Sequence, residues 1–300
     1  MNVLVVGDTI LDRYIFGNIE RVNPEAAYSL VLDYEYSKVT LGGAANVAAN
    51  IHSLVGSEHN IYYLGYVSPE TSELLSKNKV KYLASKFIKD EDMLLKTRFV
   101  YDNHIILRLD TNKDFRSLVK TQYAEDLIFR LENNNLFYDL DLIIISDYAK
   151  KTLSQDLLNK LFTKYSDAIF MFDIKKPINN TFLPENCIFK CNQKEWNVLQ
   201  DIGYRPNKGW FVRTEGKYGY SLSHNVDNEN SWINYPAINV GEIIDTVGCG
   251  DTFIAGMAAD CIRSGKFTPE DHADYGNKCS AVKVKKFGTT TITKEDVDSL

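Results

Sequence analysis

Asp245-Thr246-Val247-Gly248-Cys249-Gly250-Asp251 runs without a break into Thr252-Phe253-Ile254-Ala255-Gly256-Met257-Ala258-Ala259, a glycine turn followed by small, apolar residues that read as a helix. A helix that starts this way leaves its first backbone N–H groups unpaired at the positive end of its dipole. The glycines let a ligand come close to them, so the turn is a site for an anion. Asp251 falls in the first helical turn, where a carboxylate beside an anion cradle suits a base acting next to a transferring phosphoryl group. A plain turn with an aspartate cap would use the same residues, so the rest of the chain must decide.

Working outward, short β-branched runs at 2–6, 61–67, 142–146, 168–173, 187–192 and 209–214 read as buried strands. Helical patterns fall at 44–54, 70–76, 122–133, 154–165 and 193–199, and the C-terminal third continues with helices at 251–264, from Pro269 to about 285, and from about Thr293. This alternation predicts an α/β fold with a doubly wound, mostly parallel sheet flanked by helices. In such sheets ligands collect beyond the carboxyl ends of the strands, which is where Asp12, Asp147, Asp173 and Asn192 fall. Lys283, Lys285 and Lys286 read as a solvated helix end.

Two segments depart from the pattern. Residues 28–41 alternate Leu30, Leu32, Tyr34 and Tyr36 with Val31, Asp33, Glu35 and Ser37, and 93–110 does the same in two pieces around Asp102-Asn103. A period of two marks strands with one wet face, and the second segment is a hairpin. Together they predict a small antiparallel β lid over the strand ends, built from about 13–41 and 93–110, within one domain spanning 1–300. Its uncovered apolar face calls for the lid of a second chain, that is, a homodimer.

Composition narrows the function. The 300 residues are 44% hydrophobic and 25% charged, with a formal net charge of -6. These are globular proportions, and the negative balance disfavours nucleic acid as a partner. The start of the chain lacks the cationic opening and apolar length of a signal peptide, and no stretch approaches a membrane span. Five cysteines, an odd number in apolar or helical settings, do not suggest a disulfide framework. The expectation is a cytoplasmic protein that binds no nucleic acid and no membrane. No G-x-G-x-x-G follows the first strand, which disfavours a dinucleotide-dependent oxidoreductase.

A second glycine turn, Leu41-Gly42-Gly43-Ala44-Ala45-Asn46, also opens a helix. Two helix N-termini, one for an acceptor and one for phosphates, are the layout a phosphotransferase needs. The two turns resemble the paired signatures of the ribokinase-like (PfkB) carbohydrate kinases, and the likeness runs over essentially the whole chain. Gly7-Asp8-Thr9-Ile10-Leu11-Asp12-Arg13-Tyr14, Asn23-Pro24-Glu25-Ala26, Leu107-Arg108-Leu109-Asp110, Ser146-Asp147-Tyr148-Ala149-Lys150 and Asp173-Ile174-Lys175 are most similar to the branch acting on a heptose 7-phosphate.

The resemblance implies roles. Asp251 would be the general base, with Gly248, Cys249 and Gly250 forming the anion hole. Asp12 would accept from a sugar hydroxyl, beside Gly42, Gly43 and Asn46. Asn192 and Glu195, in an N-x-x-E pattern, would organise Mg²⁺ through water together with the phosphates of ATP, though Asn192 also reads as a helix cap. Thr214, Glu215 and Gly219 would lie along the nucleotide, and Asn277 at its base. Arg108 and Lys175 are the candidates for the acceptor's own phosphate. The implied reaction moves the γ-phosphoryl of ATP to D-glycero-β-D-manno-heptose 7-phosphate at the anomeric hydroxyl, giving the 1,7-bisphosphate, a lipopolysaccharide precursor. The alternatives are a sibling kinase for another sugar or sugar phosphate, and an inactive ligand-sensing homologue. A need for a monovalent cation is left open. Position 249 is cysteine where the family usually has alanine, and a helix dipole could lower its pKa.

Overall fold

Burial on both faces explains the central strand: Val3, Leu4, Val5 and Val6 of β1 (Asn2–Gly7) are all without exposure. Val3 and Val5 pack into one apolar layer and Leu4 and Val6 into the opposite one. The computed structural model describes residues 1–26, 29–83, 88–111, 139–150, 152–178, 183–206, 208–226 and 231–300, together with 129, 133 and 228. The helix predicted at 122–133 therefore lies outside the described residues apart from two positions, as does Tyr28 at the start of the predicted lid strand.

The other strands are β2 (Thr9–Val22), β3 (Leu30–Gly42), β4 (Asn60–Leu64), β5 (Lys81–Tyr82), β6 (Leu94–Tyr101), β7 (His104–Thr111), β8 (Leu142–Asp147), β9 (Ile169–Ile174), β10 (Cys187–Asn192), β11 (Trp210–Thr214), β12 (Tyr220–Ser223) and β13 (Ile233–Tyr235). The helices are α1 (Gly43–Val55), α2 (Pro69–Lys77), α3 (Gln155–Lys164), α4 (Gln193–Asp201), α5 (Cys249–Ser264), α6 (Pro269–Lys283) and α7 (Lys294–Asp298). Nine strands form one sheet in the order β13-β12-β11-β10-β9-β8-β1-β4-β5. From β11 to β5 the pairs are parallel, while β12 and β13 join antiparallel at the edge. Apolar residues of α1 and α5 join the layer of Val3 and Val5, and those of α3 the layer of Leu4 and Val6. This is the doubly wound, mostly parallel sheet that the alternating pattern predicts.

The small sheet has the order β3-β2-β6-β7. Its hairpin partners run antiparallel, but β2 and β6 pair in parallel. β2 begins at Thr9, earlier than the 13 read from the sequence, because its first residues are buried and show no alternation. The edge strands β12 and β13 were not anticipated either. Leu30, Tyr34, Tyr36, Leu107 and Leu109 leave more than half of their surface exposed on this sheet.

α5 carries the glycine turn, and its position depends on close contact with α6. A Cβ added to Gly276 would lie 2.7 Å from the Phe253 carbonyl oxygen and 2.9 Å from its ring, so the helices touch through a glycine. At an exposed helical site Gly→Ala stabilises by up to about 1 kcal/mol. Here overpacking of about 1–3 kcal/mol opposes it, so Gly276→Ala should lower Tm by a few degrees in calorimetry. A Tm equal to or above wild type would show that the crossing has room to spare.

Candidate active site

The sheet changes direction between β1 and β8: β4 and β5 follow on one side, β9 to β11 on the other. Ligands of open α/β sheets bind at such a switch point. Asp8, directly after β1, is fully buried, and its carboxylate accepts the backbone N–H of Tyr148 (2.7 Å), Lys150 (3.1 Å) and Thr152 (3.2 Å). This clamp fixes the loop after β8 and with it Tyr148, whose hydroxyl donates to Oδ1 of Asp251. Oδ2 of Asp251 accepts from Nδ2 of Asn46 at 3.0 Å. Asn46 is held in turn by Asn50, whose Nδ2 donates to its side-chain oxygen at 2.9 Å and whose own oxygen accepts from the Ile292 N–H at 3.1 Å.

Asp251 is 3% exposed, and burial pushes its carboxyl up to about 6 against the opposing hydrogen bonds from Tyr148 and Asn46. Burial and the neighbouring Asp251 raise Tyr148 well above the usual phenol range, so it stays a donor. A carboxylate poised near neutrality is suited to take a proton from an alcohol.

Gly248 caps α5 with φ of 79°, a left-handed conformation that strains any residue with a side chain. A Cβ on Gly250 would come within 3.0 Å of Nζ of Lys190. That lysine is buried in an ion pair with Asp173 at 2.8 Å. Burial pulls its ammonium down, but Asp173, together with Glu195 and Asp251, outweighs burial and its pKa is raised, so a charged lysine sits beside the turn. Cys249 departs from the sequence expectation: burial pushes its thiol up to about 11, which disfavours a reactive thiolate. Lys283 is likewise not a solvated helix end but fully buried. All five cysteines are free thiols.

At the other glycine turn, Asp12 is buried and accepts from Arg98 Nη1. A Cβ on Gly42 would lie 2.3 Å from Oδ2 of Asp12, and one on Gly43, where φ is 58°, 2.5 Å from the Asp8 carbonyl oxygen. Close approach of these acids therefore accounts for the glycine pair. Nζ of Lys175 lies 4.0 Å from the centre of the Tyr148 ring and that of Lys96 5.4 Å from it. Burial lowers the Lys96 pKa, with Asp12 and Asp251 opposing and Lys175 and Arg98 reinforcing. Arg108 is placed differently: it is half-exposed on β7 and holds Asp110 through Nε at 2.9 Å and Nη2 at 3.0 Å. Lys96, Arg98 and Lys190 were not singled out from the sequence. The available signals were a lysine inside the buried run of β10 and two cations on a lid strand whose register sets Lys96 opposite Asp12.

A cavity of about 380 Å³ opens beside the anion turn, lined by Thr214, Gly219, Cys249, Gly250, Phe253 and Asn277 among others. Glu215 is not among its lining residues: its carboxylate is taken up by Arg213 at 2.8 Å and by the Ser221 hydroxyl at 2.6 Å. Asn192 caps α4, accepting from the N–H of Lys194 and of Glu195 at 2.9 Å each, and Glu195 Oε2 accepts from the Asn192 N–H at 2.9 Å. Glu195 Oε1 lies 3.6 Å from Nζ of Lys175. Among the described residues no three His, Cys, Asp or Glu side chains converge as a metal cage.

If Asp251 is the proton acceptor, Asp251→Asn should lower turnover by about 10²–10⁴-fold with nucleotide binding kept. For the wild type, kcat/KM should rise with pH through about 6 and level off above it, because only the ionised carboxylate accepts a proton. A pH profile flat from 5 to 8, or an active Asp251→Asn protein, would remove Asp251 from the chemistry.

Comparison with known proteins agrees with this geometry. Residues 188–296 match the family model described as pfkB family carbohydrate kinase. The chain is similar to the bifunctional protein HldE of Campylobacter fetus subsp. fetus (strain 82-40), 27% identical over 315 residues that cover 100% of this chain and 66% of that protein. The HldE protein of Coxiella burnetii (strain Dugway 5J108-111) is covered over 62% of its length, so the chain spans less than two thirds of the curated relatives it matches. Among solved structures, ribokinase from Giardia lamblia superposes with a TM-score of 0.71 at 14% identity, covering 99% of this chain and 98% of that one. Arabidopsis thaliana ribokinase complexed with ribose and ATP superposes at 0.65, with 14% identity and 99% and 97% coverage. The fold expected from the two glycine turns is thus borne out: the chain has a ribokinase-like fold, and its residues 188–296 match the pfkB carbohydrate kinase family.

Proposed function

We propose that this chain is an ATP-dependent kinase acting on a sugar phosphate, D-glycero-β-D-manno-heptose 7-phosphate, at its anomeric hydroxyl to give the 1,7-bisphosphate. The observation that carries the reading is the set of cations beside the base: Lys96 and Lys175 flank the ring of Tyr148, and Arg98 pairs with Asp12. A neutral sugar would give such a cluster nothing to bind, whereas a dianion entering a closed cleft needs cations to offset its desolvation. Likeness to the HldE proteins along the whole chain supports the choice of heptose.

In this reading Asp251 takes the proton of the acceptor hydroxyl, and the amides of Gly248, Cys249 and Gly250 meet the charge that develops on the transferring phosphoryl. Asp12, fixed by Arg98, accepts from a sugar hydroxyl beside Gly42, Gly43 and Asn46. Lys96, Lys175 and Arg108 are assigned to the acceptor's own phosphate, with Arg108 exchanging Asp110 for it. ATP would occupy the cavity bordered by Thr214, Gly219 and Asn277, the ligand named for the plant ribokinase neighbour. Mg²⁺ binds with few carboxylates, several waters and substrate phosphates, which Glu195, with Asn192, fits better than a protein cage would. When bound, it would neutralise charge on the phosphates. The exposed Leu30, Tyr34, Tyr36, Leu107 and Leu109 fit pairing of two small sheets in a homodimer.

Charge-assisted contacts contribute about 1.5–3 kcal/mol each, so Lys96→Ala and Lys175→Ala should each lower kcat/KM for the sugar phosphate by roughly 10- to 150-fold and leave ATP binding nearly unchanged. Coupled ADP release against heptose 7-phosphate, sedoheptulose 7-phosphate, fructose 6-phosphate and ribose provides the test. A preference for ribose, or variants indifferent to the acceptor's phosphate, would hand the assignment to a sibling sugar kinase. Leu32→Glu combined with Leu107→Glu should convert a dimer to monomers in sedimentation; a wild type that sediments only as a monomer at high concentration would refute the pairing.

A further inference from the structure

Lys283 closes α6 and is among the largest side chains in the molecule with no exposure at all. Among the described residues its ammonium has one hydrogen-bond acceptor, the Lys286 carbonyl oxygen at 2.9 Å. Its side chain runs beneath the anion turn: a Cβ on Gly248 would lie 3.9 Å from its Cε. The segment that holds it also holds the turn. Ile244 N–H donates to the Val284 carbonyl at 2.8 Å, and the Asp245 carboxylate accepts from Gly288 N–H at 2.8 Å and from Val247 N–H at 2.9 Å.

A lysine ammonium carries three donors, and burying it with one carbonyl partner is unfavourable without a counter-charge. Asp245, the nearby acid of the same turn, already receives two backbone amides. Lys190, by contrast, has Asp173 as a full ion-pair partner. An incompletely compensated charge beneath an anion hole is a charge set in place for the anion. We propose that Lys283 is a positioning residue whose buried positive charge, fixed under the Gly248 turn, holds the anion hole in shape and stabilises the transferring phosphoryl from behind it.

Burial lowers the Lys283 pKa; Cys249, Asp245 and Asp251 oppose this and Lys286 adds to it. The charge thus lies against the Gly248 turn and is felt electrostatically at Asp251 as well. The inference rests on the kinase reading above, and it implies an opposition between stability and activity. Replacing a buried, poorly paired charge by an apolar side chain of similar length is neutral or stabilising.

The test is Lys283→Met, assayed with the sugar phosphate that the wild type turns over best. Tm without ligands should stay level or rise, kcat should fall by about 10- to 100-fold, and KM for ATP should change less than threefold. Calorimetry supplies a second readout: affinity for ADP with aluminium fluoride, a mimic of the transferring phosphoryl, should fall by a similar factor while affinity for ADP alone is kept. Wild-type kcat in Lys283→Met would overturn the inference. So would a variant that unfolds, because the ammonium would then serve the fold rather than the anion. A wild type inactive on every sugar would instead sink the kinase reading, and that is known before the variant is made.

Discussion

Keeping a carboxylate at the N-terminus of α5 out of water is the constraint on which the site depends. An unpartnered buried charge is costly, so Asp251 is tolerable only because Asn46 and Tyr148 each give it a hydrogen bond. Those donors come from distant parts of the chain and need supports of their own. Asn50 and the Ile292 amide hold Asn46, and Asp8 holds the loop of Tyr148. Only a sheet that places β1 beside β8, with α1 and α5 packed on the same face, brings all of these within reach. The incomplete compensation that remains lifts the carboxyl to about 6, a range that suits a general base.

Charge is reversed locally around the site. The chain as a whole is acidic, with a net charge of -6, yet Lys96, Arg98, Lys175, Lys190 and Lys283 gather in or beneath one cleft. Charges held at short range in a poorly hydrated site act far more strongly than surface charges screened by salt. Three of these cations have an acidic partner within the protein, Arg98 in Asp12, Lys190 in Asp173 and Lys175, more loosely, in Glu195. On the proposed reading, substrate phosphates would supply the counter-charge for Lys96 and Lys283.

Much of the frame was legible because it is written in local rules. The apolar run of β1, the glycine turn at 248–250 and the period of two in β3 each signal their structure without tertiary information. Asn192 was legible as a helix cap, and it caps α4 through a reciprocal bond with Glu195. What escaped was set by tertiary burial. Lys190 in β10 and Lys283 at the end of α6 look like routine polar interruptions until the fold closes over them. Arg98 and Arg108 are register partners across the β6–β7 pair, and only the fold shows that Arg98 is the buried one. The pKa of Cys249 went against the dipole argument because burial, with Asp245 and Asp251 nearby, raises it. The edge strands β12 and β13, four and three residues long, are too short to show a period.

On the proposed reading, a phosphoryl group passes from ATP to the anomeric hydroxyl of a sugar that already carries a phosphate. The most direct measurement is phosphorus NMR of the wild-type protein mixed with ATP, Mg²⁺ and D-glycero-β-D-manno-heptose 7-phosphate. ADP should appear together with an equal amount of a new phosphate resonance coupled to the anomeric proton, while the resonance of the original phosphate persists. Release of inorganic phosphate alone, or phosphorylation at a carbon other than the anomeric one, would contradict the account.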